Sequence, residues 1–258
     1  MDYLNVRGKT ALVLGIANRW SIAYAIAQLL QAHGVRVAVT YQNERIGEEV
    51  HKLTSTWEDV LHLPCELTDD AQVDTVYERL RDAYGQLNYL VHCIAFAERA
   101  DLQGAFRNIS RRGFHTAMDI SAYSLVAVAQ RMVPLMPAGD SSILTLTYMA
   151  SEKVVPNYNV MALAKAALEN SVRYLANDLG PQGIRVNAIS AGPVRTASAR
   201  AITGFTDMLK QHADKAPLRR NISAEEVGKA ALYLCSDLSS GVTGTIHFVD
   251  AGYHILGA

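Results

Sequence analysis

Short apolar segments alternate with longer, helix-like segments along almost the whole chain. The apolar segments are rich in Val, Ile, Leu and Thr, as in strands that are buried on both faces of a sheet. The segments between them are rich in Ala and Leu, which is typical of helices. About seven strands that alternate with helices predict an α/β fold with one doubly wound parallel sheet and helices on both faces.

Turn and cap residues place the element boundaries. We predict strands over residues 9–15, 35–40, 60–63, 87–95, 142–147, 184–190 and 244–250. We predict helices over residues 22–32, 70–84, 113–136, 158–179 and 223–234, and a polar helix that ends within 51–56. Residues 98–112 have the composition of a polar loop, and 196–214 form an irregular segment of the kind that often covers a site as a mobile lid. Without an evident linker or repeat, residues 1–258 are expected to form a single domain.

The first strand, helix and second strand have the length of a Rossmann-like nucleotide-binding half. The turn between the first strand and its helix is not G-x-G-x-x-G; Gly15 is followed by five residues and then Ser21. Gly15 permits a tight turn, and Ser21 can cap the helix while its hydroxyl and the free N–H groups meet a pyrophosphate. An ordinary tight turn between a strand and a helix explains the same residues equally well.

The residues after the second and third strands bear on which dinucleotide would bind. Gln42 is neutral and can hydrogen-bond a free ribose hydroxyl, and neither Gln42 nor Asn43 is basic, as a 2′-phosphate would favour. This pattern favours NADH over NADPH. Glu66 could approach the adenine, although a solvated loop carboxylate is the alternative interpretation.

Tyr148 falls where the fifth strand should end, and a helix should follow Pro156 with Asn157 as its cap. Tyr158 and Lys165 are seven residues apart and therefore lie on one face of that helix. A nearby ammonium favours the phenolate and strengthens the phenol as a hydrogen-bond donor, which could stabilise an oxyanion on a substrate carbonyl. The alternative is a Tyr packed in the core and a Lys that reaches solvent.

Three motifs stand out along the chain: Gly15-x5-Ser21-Ile22-Ala23, Tyr148-x9-Tyr158-x6-Lys165 and the RVNAISAGP sequence at 185–193. Taken together, they resemble the motifs of the bacterial type II enoyl-[acyl-carrier-protein] reductases, divergent members of the short-chain dehydrogenase/reductase superfamily. The resemblance covers nearly the whole chain. Ordinary superfamily members have Tyr-x3-Lys, but Met161 stands four residues before Lys165, and the longer Tyr-x6-Lys spacing is present instead.

The resemblance implies NAD(P)H-dependent reduction of the trans-2 double bond of a fatty acyl thioester on acyl carrier protein. It implies that Tyr158 hydrogen-bonds the thioester carbonyl, that Lys165 holds the nicotinamide ribose, and that Tyr148 lines the substrate pocket with Ala97. Glu66 departs from the Asp of relatives, and Ala150-Ser151 departs from their more Gly-rich pair. The implied contacts to NADH are Gly15, Ser21, Ile22, Gln42, Glu66, Leu67, Ile94, Lys165, Val194, Thr196 and Ser198.

The resemblance also implies a homotetramer and an acidic partner, acyl carrier protein. A local basic patch near the expected lid could receive that partner, although solvated surface charge is the alternative for each residue. The candidates are Arg195, Arg200, Lys210, Arg219 and Arg220.

Composition bears on other ligands and on the cellular location. The net charge of −1 gives no reason to expect nucleic-acid or membrane binding. Three scattered cysteines are typical of a reducing cytoplasm, and the eight His lack metal-ligand spacing, so no metal is expected. His92 is interpreted as a buried strand residue. Two rival functions remain: a ketone-reducing short-chain dehydrogenase, which Met161 disfavours, and a catalytically silent dinucleotide-binding regulator.

Overall fold

The computed structural model describes residues 3–196, 199 and 203–257. Within these residues seven parallel strands form one sheet in the order β3-β2-β1-β4-β5-β6-β7, which confirms the predicted doubly wound α/β fold. The strand order reverses between β1 and β4, and such a reversal opens a crevice at the carboxyl ends of the strands. The strands are β1 (Thr10–Leu14), β2 (Arg36–Tyr41), β3 (Leu61–Pro64), β4 (Tyr89–His92), β5 (Ser141–Thr147), β6 (Ile184–Ala191) and β7 (Ile246–Val249).

Helices cover both faces of the sheet. Alternate residues of β1 point to opposite sides, because side chains in a strand have a period of two. Leu12 and Leu14 pack with α3, α6 and α7, whereas Ala11 and Val13 pack with α1, α2 and α9. The helices are α1 (Ile22–Ala32), α2 (Glu44–Leu53), α3 (Asp70–Tyr84), α4 (Arg99–Leu102), α5 (Arg111–Met118), α6 (Ser124–Met132), α7 (Asn159–Leu179), α8 (Phe205–Lys215) and α9 (Ala224–Cys235).

The helix expected over 113–136 is interrupted, and that prediction is wrong in its centre. Between α5 and α6 the chain makes a π-helical turn at Asp119–Tyr123. The Ser121 hydroxyl bonds both the N–H and the carbonyl of Phe96, and the Ser124 hydroxyl donates to the Ile120 carbonyl. Serine hydroxyls that bond backbone groups compete with the regular helical pattern, which accounts for the wider turn here.

The segment 98–112 is also not a plain loop, because α4 lies within it. The buried Asp101 carboxylate accepts hydrogen bonds from the Ser110 N–H at 2.6 Å and the Ser110 hydroxyl at 3.0 Å. These bonds attach α4 to the start of α5. A helix of four residues is too short to produce a periodic sequence pattern, so periodicity could not indicate it.

Helix α7 begins later than the predicted cap. Asn157 has a left-handed backbone with φ of 60° and donates its side-chain amide to the Thr203 carbonyl, so it does not cap the helix. Tyr158 occupies the N-cap position without a side-chain capping bond. By contrast, the predicted Ser223–Glu226 capping box is present at the start of α9. In the part of the chain that the structure describes, the helices are too short or too polar to span a lipid bilayer.

Candidate active site

The carboxyl ends of β1, β4 and β5 bring Gly15, Ile94 and Tyr148 to the same edge of the sheet. Gly15 has φ of 100°, and a Cβ atom at this position would lie 2.1 Å from the Cys93 carbonyl oxygen. Only glycine therefore allows the turn after β1 to pass so close to the end of β4. The glycine therefore permits a tight turn that packs against the end of β4, one of the roles that glycine has in dinucleotide-binding turns.

Ser21 lies at the N-cap position of α1, but its side chain does not cap the helix as predicted. Its oxygen instead accepts hydrogen bonds from the backbone N–H groups of Ala17 and Asn18, both at 3.1 Å. The hydroxyl hydrogen is left to donate to a further acceptor. Together with the positive end of α1, which starts at Ile22, this arrangement could hold a phosphate group.

Gln42 and Glu66, which follow β2 and β3, are joined by a hydrogen bond. The Gln42 amide donates to the Glu66 carboxylate at 2.6 Å, and Thr68 donates to the other carboxylate oxygen through its N–H and its hydroxyl. Burial acts to raise the pKa of Glu66, but the bonds from Gln42 and Thr68 outweigh it and leave the pKa below its ordinary value. Glu66 therefore places a carboxylate beside Gln42. The next residue, Leu67, is half-buried.

Tyr148 and Tyr158 form an aromatic pair directly after β5, with ring centroids 5.1 Å apart and planes inclined by 58°. The Tyr158 ring packs in a small apolar cluster with Leu102 and Met161, and Ala97 packs against the same cluster. The Tyr148 hydroxyl donates to the Met208 sulfur of α8 at 3.6 Å. The structure thus brings the predicted substrate-binding residues together beside a residue of the expected lid.

Both tyrosines remain phenols at neutral pH. Burial raises the pKa of Tyr158 well above its ordinary value, and Tyr148 raises it further. Burial also raises the pKa of Tyr148 to about 12, with smaller contributions from Tyr253 and Asp250. The expectation that Lys165 would favour a Tyr158 phenolate finds no support, because Lys165 is not among the groups that act on Tyr158 and burial raises the pKa of the hydroxyl.

Lys165 is buried on α7, with 5% of its surface exposed, and its ammonium donates to the Leu146 carbonyl at 2.8 Å. Burial lowers its pKa to about 8, while Cys93 and Glu169 act in the opposite direction. His92 is a fully buried strand residue, as predicted, hydrogen-bonded to Thr145 and Ser124. Burial, followed by the charge of Lys165, lowers the pKa of His92 to about 3, so it is neutral.

The segment after β6 borders a cavity of about 310 Å³. Val194 lines it together with Arg19, Trp20, Arg195 and residues at the start of α9. Thr196 donates its N–H to the Val194 carbonyl at 2.8 Å, and its hydroxyl oxygen accepts the Ala199 N–H at 3.1 Å. The predicted cofactor contact Ser198 and the basic candidate Arg200 lie outside the described residues.

Sequence reasoning did not identify Met208 or Glu169 as members of this region. Met208 meets Tyr148 through a contact across 60 residues of sequence, which no local pattern indicates. Glu169 accepts a hydrogen bond from Thr147, the residue before Tyr148. A spacing of four residues from Lys165 on one helix is the signal that could have identified Glu169.

Comparisons with known proteins agree with one another. Residues 15–254 match the family model described as enoyl-(acyl carrier protein) reductase. The chain is 50% identical over 257 residues to the enoyl-[acyl-carrier-protein] reductase [NADH] FabI of Nostoc sp., with 98% of this chain and 99% of the relative covered.

Solved structures show the same similarity. The Bacillus cereus enoyl-acyl carrier protein reductase with NADP⁺ and indole naphthyridinone matches with a TM-score of 0.95, 49% identity and complete coverage of both chains. The Anaplasma phagocytophilum reductase in complex with NAD matches with a TM-score of 0.94 and 45% identity, over 98% of this chain and 96% of the other.

Proposed function

The chain belongs to the enoyl-[acyl-carrier-protein] reductase family, and from this we propose how its residues carry out the reaction. It is an oxidoreductase of fatty acid synthesis that acts on a carbon–carbon double bond. The substrate is a trans-2-enoyl chain in thioester linkage to acyl carrier protein. NADH, when bound, supplies the hydride that adds to the β-carbon of that chain.

The single observation that carries this proposal is the placement of Tyr158 beside Tyr148 at the end of β5, with ring centroids 5.1 Å apart. Negative charge moves onto the thioester oxygen when the β-carbon is reduced, and a preorganised hydrogen-bond donor stabilises that charge. Tyr158 can supply such a donor because its pKa lies above the ordinary value. Tyr148, whose hydroxyl bonds Met208, shapes the pocket around the acyl chain with Ala97.

The turn after β1 fits a dinucleotide at this edge of the sheet. The tight turn at Gly15, the free hydroxyl hydrogen of Ser21 and the start of α1 at Ile22 suit a pyrophosphate. Lys165 would hold the nicotinamide ribose, and Ile94, Leu67, Val194, Thr196 and Ser198 would complete the contacts.

The pair of Gln42 and Glu66 favours NADH over NADPH. A carboxylate at the position that faces the adenine ribose would repel a 2′-phosphate, whereas Gln42 can bond a free hydroxyl.

Acyl carrier protein would dock near α8. Arg195 and Lys210 are exposed there and suit an acidic partner. Arg220 is paired with Glu226 through two bonds, at 2.9 and 2.7 Å, and Arg219 bonds the Asp214 carbonyl, so these two residues are less available to a partner.

Three free cysteines are in keeping with a cytoplasmic location.

Residues 196–214 would act as a lid within one catalytic domain of residues 1–258. Helix α8 spans Phe205–Lys215, and Thr203 accepts hydrogen bonds from Gln103 and Asn157 near the substrate side. The Met208 contact to Tyr148 links this segment to the reacting region. Entry of an acyl chain would require these few contacts to open.

The function is tested by following the oxidation of NADH or NADPH with the purified protein and a carrier-bound trans-2-enoyl thioester. We expect oxidation that requires the thioester and is faster with NADH. A ketone substrate serves as the comparison. If NADH or NADPH is oxidised with the ketone and not with the enoyl thioester, the protein is instead a carbonyl reductase.

A further inference from the structure

Glu169 is a carboxylate in the interior of the protein, on α7, with only 3% of its surface exposed. Burial of a charged group costs free energy unless opposite charges and hydrogen bonds compensate it. None of the steps described above uses Glu169. Its surroundings therefore indicate what the buried carboxylate does.

The carboxylate of Glu169 bonds the end of β5. The Thr147 hydroxyl donates to Glu169 Oε1 at 2.6 Å, and Thr147 is the residue immediately before Tyr148. On the other side the guanidinium of Arg173 lies 3.9 Å from Oε2, and Arg173 is half exposed. Of these two interactions, the hydrogen bond from Thr147 is the shorter and the more buried.

Lys165 and Glu169 are four residues apart on α7, so their side chains share one face of the helix. Lys165 bonds the Leu146 carbonyl while Glu169 bonds the next residue of β5, Thr147. The two side chains thus hold adjacent residues of the strand that ends at Tyr148. The ammonium bonds the backbone of Leu146, and the carboxylate bonds the side chain of Thr147.

Two further titratable groups interact with the charge of Lys165, and both come from β4 and its end. His92 is neutral, and its pKa of about 3 reflects burial and the repulsion of Lys165. Burial raises the pKa of the Cys93 thiol to about 12, so it too is neutral at physiological pH. In the described part of the chain, Glu169 is the one carboxylate among the groups that act on the Lys165 ammonium.

We propose that Glu169 is a positioning residue that keeps the buried Lys165 charged and attaches α7 to the strand end that carries Tyr148. The proposal rests on the role assigned above to Lys165 in holding the cofactor. Burial already lowers the pKa of Lys165 to about 8, close to physiological pH. Without the carboxylate the ammonium would lose its proton at a lower pH and could no longer donate as a cation.

The test compares Glu169→Gln with Asp178→Asn, which removes an exposed carboxylate from the same helix. The ε-carbon NMR signal of Lys165, assigned by its loss in Lys165→Met, is titrated in the cofactor-free protein. We expect the midpoint to fall by about one pH unit in Glu169→Gln, as is typical for loss of a close opposite charge, and to stay unchanged in Asp178→Asn. At the wild-type midpoint, NADH binding measured by fluorescence should be roughly fivefold weaker in Glu169→Gln, because fewer lysines are charged.

The titration of Lys165 is independent of turnover, so it separates this proposal from the assignment of the reaction. Equal midpoints in Glu169→Gln and the wild type would overturn the proposal even if the enzyme reduced enoyl thioesters. A second measurement needs no variant: the Glu169 δ-carbon signal of the wild type should shift at the Lys165 midpoint, because the carboxylate then loses a neighbouring positive charge. A Glu169 signal that does not move through that midpoint would also overturn it.

Discussion

The chemistry of Tyr158 is decided by its burial. Burial, and then the neighbouring Tyr148, place its pKa above the ordinary value, so the side chain is a phenol and cannot act as a base at neutral pH. A phenol can still donate a hydrogen bond to a developing oxyanion. Lys165 would then contribute by holding the cofactor and not by ionising the tyrosine.

Substitution of Tyr158 by Phe removes that donor while keeping the ring in its apolar cluster. We expect kcat to fall by about 10²–10³, the usual loss for one donor to an oxyanion. NADH affinity should change little, because the ring packs with Leu102 and Met161 in either case. Steady-state kinetics and a fluorescence titration with NADH measure the two quantities.

Tyr148→Phe is the matched control for this substitution. It removes a hydroxyl that bonds Met208 but keeps the second ring of the pair. We expect its effect to be concentrated in the KM for the enoyl thioester. A loss in kcat as large as that of Tyr158→Phe would assign the donor role to both hydroxyls, and full activity of Tyr158→Phe would remove Tyr158 from the mechanism.

Cofactor preference should depend on Gln42 and Glu66 as a pair. Gln42→Arg alone should gain little for NADPH, because the Glu66 carboxylate that now accepts from Gln42 would pair with the new guanidinium. Gln42→Arg combined with Glu66→Gln should shift the ratio of kcat/KM for NADPH over NADH by about tenfold or more, the worth of one charge-assisted bond. Equal shifts in the single and double variants would contradict the coupling.

At the scale of whole elements, the sequence predicts the features that depend on neighbouring residues, such as helix caps and strand ends. Helix α3 was predicted over Asp70–Tyr84 and has these bounds, because Asp69 caps its first turn and Gly85 ends it in a left-handed conformation. Gly15 and Tyr148 were also predicted at strand ends, and the structure places both at the carboxyl edge of the sheet. Such positions follow from the order of elements in a parallel sheet.

Contacts between distant segments could not be predicted in the same way. The π-helical turn depends on the bonds of Ser121 to Phe96, 25 residues away. The left-handed backbone of Asn157 accompanies a bond to Thr203. Local propensity has no information on either partner, so the interruption between α5 and α6 and the start of α7 could not be predicted.

The junction between α4 and α5 offers a test at this scale. A Cβ atom on Gly113 would lie 1.9 Å from Asp101 Oδ2, so Gly113→Ala should displace the carboxylate that accepts from Ser110. We expect a loss of about 1–3 kcal/mol in the free energy of unfolding, as for other overpacked sites, measured by urea denaturation. The KM for the enoyl thioester should rise as well, because Leu102 of α4 packs in the cluster with Tyr158.

Gly241→Ala is the control for that substitution, because the space around its Cβ position is open. Its free energy of unfolding should remain within about 0.5 kcal/mol of the wild type. Equal stability of the two variants would show that the helix junction accommodates the added methyl group without moving Asp101.

At the scale of the whole molecule, the outer surface of α5–α7 carries aromatic and apolar side chains that a solitary chain would leave in water. Tyr174 is 73% exposed, and Tyr123, Phe114 and Leu163 are exposed on the same group of helices. Aromatic residues are enriched in protein–protein interfaces relative to the rest of the surface. We infer that α7, which carries the exposed Tyr174 and Leu163, contacts other copies of this chain, in keeping with the homotetramer that the family resemblance implies.

Light scattering should therefore give the mass of four 28.2-kDa chains for the wild type. Tyr174→Lys places a charge in the proposed interface, where it would be desolvated without a partner, and should shift the protein to smaller species at micromolar concentration. Tyr3→Lys changes an equally exposed tyrosine near the amino terminus and should leave the mass unchanged. If the wild type scatters as a monomer, or if Tyr174→Lys keeps the mass of the wild type, the α7 face is not the interface.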